Sequence, residues 1–194
     1  MSAIAGIVLA AGRGTRMGGP NKLLARDGTR PLVRAAVETA LEAGLDPVIV
    51  VTGHDGDAVE AALADLPVLL VRNDDYALGQ ATSLQAGLAA LPFECGAFLV
   101  LLGDMPRVRS TTIARLIEAH ADLPDLAAIV PTLAGEPGNP VLLTRELVPL
   151  LMMLEGDRGA RAILRGRRDI LELEIDDPGI RLDIDTPEAL KALK

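Results

Sequence analysis

Arg13, Arg16 and Lys22 share the stretch LAAGRGTRMGGPNK (9–22) with four glycines and no acid. A glycine-rich turn exposes successive backbone N–H groups, and together these form a concave anion site. Gly12 and Gly14 let the backbone approach a phosphate closely. The two guanidinium groups and the ammonium supply the charge a triphosphate needs. The stretch is not a Walker A loop, because no G-K-[ST] ends it. Nor is it the dinucleotide fingerprint, since Met17 stands where the third glycine belongs. An ordinary turn with solvated arginines is the plainer reading. The phosphate cradle is favoured because the loop follows an apolar run, and sheets of this kind bind ligands at strand C-termini.

Carboxylates that could answer this charge lie far off in sequence. Asp104 ends the apolar run LVLLGD, with Gly103 giving room and Pro106 stopping the strand. Such a position suits Mg²⁺, which prefers one or two carboxylates plus phosphate oxygens. Asp183 and Asp185 lie in RLDID. Two apart in a strand, they would point to the same side, although Asp185 could equally help cap a final helix.

The elements that must position these groups alternate along the chain. Apolar runs at 4–10, 47–53, 67–73, 96–104 and 126–132 read as strands, and amphipathic patterns at 31–44, 57–66, 81–91 and 110–123 as helices. Pro31 stands near the first turn of its helix, Asp55 as N-cap of the next, Ser110 as N-cap of the fourth. Continuous apolar strands between amphipathic helices predict an α/β fold: one mostly parallel Rossmann-like sheet with helices on both faces. Beyond Pro131 the pattern loosens. A loop leads to a short extended run, then two short helices near 145–154 and 159–166. Two short strands follow, ILELEID and IRLDID, and a last helix has Thr186 as N-cap and Pro187 at its first position. A single domain spanning 1–194 is expected, with 1–132 binding nucleotide and 133–194 elaborating the sheet on the acceptor side.

Composition narrows the function. The net charge of −8 argues against a nucleic-acid backbone binder. Aromatic residues at 2% leave no stacking platform for single strands. The one cysteine, Cys95, excludes a disulfide framework and reads as a core-edge thiol. The N-terminus lacks the basic segment of a signal peptide, and no stretch reaches the length of a membrane helix. A cytoplasmic protein without membrane or nucleic-acid partners is expected. His120 falls in a helix and is expected at the surface.

LAAGRGTRMGGPNKLL resembles the signature of nucleotidyltransferases that move NMP from an NTP onto a phosphate. DPVIVVTGH (46–54), TSLQAGL (82–88), LLGDMP (101–106) and GIRLDIDTPEAL (179–190) follow in the right order. GNPVLLTRELVPLLMMLEGDRGAR (138–161) narrows the likeness. The chain is similar to the molybdenum cofactor cytidylyltransferases over nearly its whole length. The resemblance implies that Arg16, Lys22 and Asp104 are catalytic and that Leu9, Ala10, Ala11, Gly12, Arg13, Gly14, Lys22, Gly103 and Asp104 bind nucleotide. Mg²⁺ would sit on Asp104 and on Asp185, or else Asp183. Ser83 matches a position that contacts cytosine, though it could simply cap its helix. His54 could sit near the nucleotide or merely end its strand.

Guanylyl relatives carry Gly-Gly where this chain has Ala11-Gly12, so the resemblance implies CTP. The Ala11 methyl would narrow the floor under the base and favour a pyrimidine. The acceptor side would be Gly138, Asn139, Pro140, Asp157, Arg158 and Arg161, with both arginines on one helix face. Met105, where many relatives have Gln, is counted on that side too. The reaction implied is transfer of CMP from CTP to molybdopterin or molybdenum cofactor, releasing pyrophosphate. Cofactor-delivery chaperones or molybdoenzymes are candidate protein partners. The alternatives are the same transfer to a sugar or polyol phosphate, or a nucleotide-binding regulator without turnover.

Overall fold

The computed structural model describes residues 3–12 and 21–184. Its strands are β1 (Ile4–Ala10), β2 (Arg26–Asp27), β3 (Arg30–Pro31), β4 (Val48–Thr52), β5 (Leu69–Arg72), β6 (Ala97–Leu102), β7 (Ala128–Leu133), β8 (Glu136–Pro137), β9 (Val141–Thr144) and β10 (Ile170–Glu174). The helices are α1 (Leu32–Glu42), α2 (Gly56–Ala61), α3 (Gln80–Ala89), α4 (Ser110–Asp122) and α5 (Val148–Leu151), with short 3₁₀ turns between elements. β2 and β3 form a separate small hairpin.

The main sheet runs β10-β7-β9-β6-β1-β4-β5, with β8 paired to β7. β1, β4, β5 and β6 are mutually parallel, and β10 is parallel to β7. β9 lies antiparallel between β6 and β7. From β1 the chain steps through β4 to β5, then crosses to β6 on the other side of β1. The sheet therefore reverses its order between β1 and β6, where open α/β sheets form a ligand crevice at the strand C-termini.

Side-chain alternation along the strands feeds two cores. Ile7, Leu9, Val51, Phe98 and Val100 face one way and pack with Leu84 and Leu88 of α3. Val8, Ala10, Val50, Leu99 and Leu101 face the other and pack with Val33 and Val37 of α1 and Ile113 and Leu116 of α4. α1 buries Leu32, Val33, Ala36, Val37 and Ala40, a helical stripe, while Arg34 and Glu38 pair across its outer face at 2.8 Å. α3 lies very close to the sheet because Gly87 has no side chain: a Cβ there would come within 2.5 Å of Ile7 Cγ2.

The parallel sheet and the nine alternating strands and helices expected over 4–132 follow the sequence pattern, although the β2–β3 hairpin was not anticipated and α2 ends at Ala61. Pro31 stands next to the first turn of α1, as its N-cap. Other local expectations do not hold. Asp55 does occupy the N-cap of α2, but with a left-handed backbone (φ 52) and no capping bond from its side chain. Ser110 is already helical. The start of α4 is held instead by buried Asp177, whose carboxylate accepts from Arg109 N–H (3.0 Å) and Thr112 Oγ1 (2.6 Å). A distant acid satisfies what a local hydroxyl was expected to satisfy.

The C-terminal third is not an appendage, because β9 and β10 are strands of the main sheet. IRLDID is not a strand either: Pro178–Arg181 form a 3₁₀ turn and 182–184 are irregular. His120 is half-buried, its Nδ1 enclosed without a hydrogen-bond partner, and burial pushes its pKa down. Cys95 is buried, which raises its thiol pKa and leaves it a core side chain. No described helix is long and apolar enough to cross a membrane.

Candidate active site

Two strand ends meet at the switch point. β1 ends in Ala10, and the chain leaves through Ala11 and Gly12. β6 ends in Leu102, and the chain leaves through Gly103 and Asp104. Lys22 reaches across, with Nζ 2.6 Å from Asp104 Oδ2, and both side chains are mostly shielded, at 12% and 18% exposure. Asn21 fixes the return of the glycine-rich loop. Its side-chain Oδ1 accepts from Leu23 N–H (3.0 Å), and its side-chain Nδ2 donates to the His54 carbonyl (3.1 Å). His54 N–H in turn donates to the Ala11 carbonyl at 3.2 Å. The end of β4 thus clamps both ends of that loop.

A cavity of about 350 Å³ opens here, walled by Leu9, Ala11, Gly12, Lys22, Ser83 and Asp104, with Tyr76, Gly79 and Gln80 on its far side. A second cavity of about 650 Å³ is walled by Asn139, Asp157, Arg158 and Arg161, with Val130 and Glu172 from the sheet. Gln80, Leu102 and Asp157 belong to both walls, so the two cavities adjoin. A further cavity of about 580 Å³ near His120 and Arg145 lies at the opposite, N-terminal ends of β1 and β6, away from these groups.

The structure brings together most of the expected residues. Leu9, Ala11, Gly12, Lys22, Ser83 and Asp104 line the first cavity. Ala10 faces the other core, and Gly103 packs under the site with its Cα side toward the Leu9 carbonyl. His54 contributes backbone, and its ring lies 5.9 Å from that of Tyr76 without lining the cavity. Ser83 does not cap α3: it is the fourth residue of the helix, and Gly79 is the N-cap. Arg13, Gly14, Arg16 and Asp185, together with Met17, Thr186 and Pro187, lie outside the described residues. Asp183 is exposed on an irregular segment, so the same-side strand argument does not apply to it. Its neighbour Ile184 donates to the Asp104 carbonyl at 3.0 Å, which docks this segment beside the metal-binding candidate.

On the acceptor side, Asn139, Asp157, Arg158 and Arg161 all line the larger cavity. Arg158 and Arg161 do not share a helix face, because the 3₁₀ turn begins only at Ala160. They meet through the cavity instead, where Arg161 Nη1 donates to the Pro137 carbonyl at 3.0 Å. Gly138 packs directly on Ile180, and Asn139 N–H donates to the Ile180 carbonyl at 2.8 Å. Pro140 follows a cis peptide bond. Met105 is buried at 4% exposure and packs beneath Asn139 and Pro140, so it shapes the core under the turn rather than the acceptor surface.

Sequence reasoning passed over Asn73, Tyr76, Gly79 and Gln80. The signal was available: VRNDDYALGQ follows β5, so these residues too lie at a strand C-terminus, and Tyr76 is the one tyrosine in the chain. Gly79 has φ +119, and a Cβ on it would overlap the backbone of Gly156. That contact seats the 155–159 loop against α3, where Ala81 N–H donates to the Gly156 carbonyl (3.0 Å) and Gln85 amide donates to the carbonyls of Met152 (3.0 Å) and Leu154 (2.9 Å).

A mostly parallel sheet flanked by helices, with its crevice at the β1/β6 switch point, is the nucleotide-diphospho-sugar transferase-like architecture. The chain matches the MobA-like NTP transferase domain over residues 6–172, and it belongs to that family of nucleotidyltransferases. It is 34% identical to nicotine blue oxidoreductase of Paenarthrobacter nicotinovorans, over 98% of this chain and 96% of that protein. It superposes on Rv0371c of Mycobacterium tuberculosis with a TM-score of 0.85 at 31% identity, covering 100% and 98% of the two chains. A manganese complex of Rv0371c superposes at 0.82 with 30% identity, covering 98% and 97%. A Methanothermobacter nucleotidyl transferase gives 0.86 at 26% identity, covering 100% and 96%.

Proposed function

We propose that this protein transfers CMP from CTP to the terminal phosphate of molybdopterin or molybdenum cofactor, releasing pyrophosphate, with Mg²⁺ as its metal. The observation that carries the reading is the Lys22–Asp104 pair lining the smaller of two adjoining cavities. One cavity is walled by Ala11, Gly12 and Lys22 from the two ends of the glycine-rich stretch, the other by two arginines.

The donor set fits a hard divalent cation. Asp104 offers carboxylate oxygens at a strand end, and Mg²⁺ takes one or two carboxylates and fills its remaining sites from phosphate and water. The manganese complex of a 30% identical relative also supports a divalent ion. Asp104 would hold it together with Asp185 or Asp183. Bound there, the metal would neutralise charge on the triphosphate.

The protein's own groups then act by position and charge. Lys22 is held at Asp104 before any ligand arrives and exchanges this partner for the triphosphate when it binds. Arg13, Gly14 and Arg16 of the same loop would complete the cradle, and Arg16 and Lys22 would stabilise the departing pyrophosphate. The acceptor phosphate is already an anion near neutral pH, so no strong base is needed. Its oxygen attacks the α-phosphorus, the bond to the β-phosphate oxygen breaks, and pyrophosphate leaves. Ala11 narrows the cavity floor in favour of a pyrimidine. Arg158 and Arg161 would take the acceptor phosphate, with 1–132 serving the nucleotide and 133–194 the acceptor. Chaperones or molybdoenzymes would receive the product.

The test is pyrophosphate release with Mg²⁺, using CTP, GTP or ATP against molybdopterin and a panel of sugar and polyol phosphates. CTP with molybdopterin is expected to give the highest kcat/KM. Arg161→Ala is expected to raise the acceptor KM or lower kcat, while CTP affinity stays within about threefold (~0.7 kcal/mol). Equal kcat/KM for CTP and GTP removes the base assignment. Turnover only with a sugar or polyol phosphate replaces the acceptor. Binding without release makes the protein a regulator. The full-length likeness to nicotine blue oxidoreductase favours a second reading, an oxidoreductase. Oxidation of a reduced nicotinamide nucleotide, with no pyrophosphate release from any pair, would establish it.

A further inference from the structure

The wall of the smaller cavity contains a hydrogen-bond chain whose direction is fixed. Asn73 leaves the end of β5 and is 6% exposed. Its Oδ1 accepts from the Asp75 N–H at 3.0 Å. A backbone N–H only donates, so the amide has one allowed orientation, with Nδ2 turned toward α3. There it donates to Thr82 Oγ1 (2.9 Å) and to Ser83 Oγ (3.0 Å).

Each hydroxyl has one proton. Thr82 directs its own at the carbonyls of Gly79 (2.9 Å) and Asp75 (3.0 Å). Ser83 accepts from Asn73, is 5% exposed, lines the cavity, and has no acceptor among the described residues. Its proton is therefore left for whatever fills the cavity. A serine hydroxyl is ordinarily ambivalent, and here Asn73 makes it a donor.

We propose that Asn73 is a positioning residue that sets Ser83 as a hydrogen-bond donor, so that the site selects a base presenting an acceptor atom at that point. The inference rests on the nucleotide reading of this cavity. Cytosine presents O2 and N3 as acceptors along one edge. Uracil carries a proton on N3, so Ser83 aimed at N3 would favour cytosine.

Asn73→Asp tests the polarity with almost no change of shape. The Asp75 N–H keeps its acceptor, but the side chain no longer donates, and the ionised carboxylate draws the Ser83 proton to itself. CTP and UTP affinities would be measured by calorimetry at 0.2 M salt, with kcat and KM for CTP alongside. Asn73→Asp and Ser83→Ala are each expected to weaken CTP about five- to tenfold, the range for one neutral hydrogen bond. The loss should fall in KM more than kcat, and UTP should change less than CTP. In a Ser83→Ala background, Asn73→Asp should cost no more than about twofold. That arm also measures any effect of the added charge by itself.

Equal losses in both backgrounds would overturn the proposal, because Asn73 would then act without Ser83. So would a folded Ser83→Ala protein that binds CTP as the wild type does, and this arm stands even if Asn73→Asp does not fold. Wild-type protein that binds no CTP would instead refute the nucleotide reading itself, a distinguishable result.

Discussion

Ala11, Gly12 and Asp104 leave the ends of β1 and β6, strands buried on both faces at the centre of the sheet. Asp157, Arg158 and Arg161 instead stand on a turn and a single 3₁₀ turn beyond α5. The first region takes its geometry from the strand ladder and two side-chain cores. The second takes it from backbone laid on backbone: the 155–159 loop on Gly79, and the Gly138–Asn139 turn on Ile180. On the proposed function, the difference would separate chemistry from selectivity. Ala11, Gly12 and Asp104 are anchored where displacement would disrupt the core. Asp157, Arg158 and Arg161 rest on contacts that substitution can alter while the sheet survives.

The sharpest way to break this comparison is Asp104→Asn. The strand beneath is secured by Leu99, Val100 and Leu101, all nearly inaccessible, and Asp104 follows the ladder. The substitution keeps shape and removes charge, so Lys22 loses the Asp104 carboxylate and the proposed metal would lose a ligand. Turnover is expected to fall at least about a thousandfold, with preorganised electrostatics as the largest contribution lost. Stability should fall by about 1–3 kcal/mol, because the mostly shielded Lys22 ammonium then faces a neutral amide in place of the carboxylate. Matched kcat and thermal unfolding measurements check both. Activity within severalfold of wild type in a folded variant would take Asp104 out of the chemistry.

Gly79→Ala tests the other side. At φ +119 and ψ 175 the backbone lies where nearly only glycine resides, and the added Cβ would overlap Gly156. The loop must move away, taking Asp157 and Arg158 with it. A stability loss of about 2–3 kcal/mol is expected, or roughly 5–10 °C in Tm for a chain of this size. Acceptor KM should rise more than CTP KM. An equal rise in both would mean that the loop serves the nucleotide as much as the acceptor.

What the sequence revealed follows the same division. β1, β4 and β6 were legible because strands buried on both faces read as continuous apolar runs, and the candidate site residues just after them inherit that clarity. The Lys22–Asp104 contact was not anticipated: it follows from the adjacency of β1 and β6, a tertiary fact. The antiparallel β9 was legible only as a short extended run, since nothing local in VLLT says that it enters the sheet between β6 and β7. Asp177 capping α4 from 65 positions away is likewise a tertiary fact. IRLDID shows the opposite failure: its alternation suits a strand, but after Pro178, and with Gly179 docked on Arg107 and Val108, Ile180 and Arg181 close a 3₁₀ turn and 182–184 are irregular. Asn73 was missed because the run at 67–73 reads as a strand ending on it, whereas β5 ends at Arg72 and Asn73 begins the turn after it.

The smallest expected effect concerns the turn joining β7 to β8, whose second strand carries Pro137, the partner of Arg161. Ala134 (φ 53) and Gly135 (φ 76) both occupy the left-handed region, unusual for alanine. Glu174 on β10 holds them there. Its carboxylate accepts from Thr132 Oγ1 (2.8 Å), Ala134 N–H (2.6 Å) and Gly135 N–H (3.2 Å). The Thr132 hydroxyl first, then the two backbone N–H groups, hold its pKa below the usual carboxylate range. A depressed folded pKa gives stability that is fully present above the unfolded value, about 4.3, and lost as pH falls through the folded one. Glu174→Gln should therefore lower Tm at pH 7 by less than Gly79→Ala does. The gap between wild type and Glu174→Gln should close as pH drops below about 4. A gap that stays constant down to pH 2 would mean that the amide and the carboxylate hold the turn equally well, and that charge contributes nothing to the wall behind Arg161.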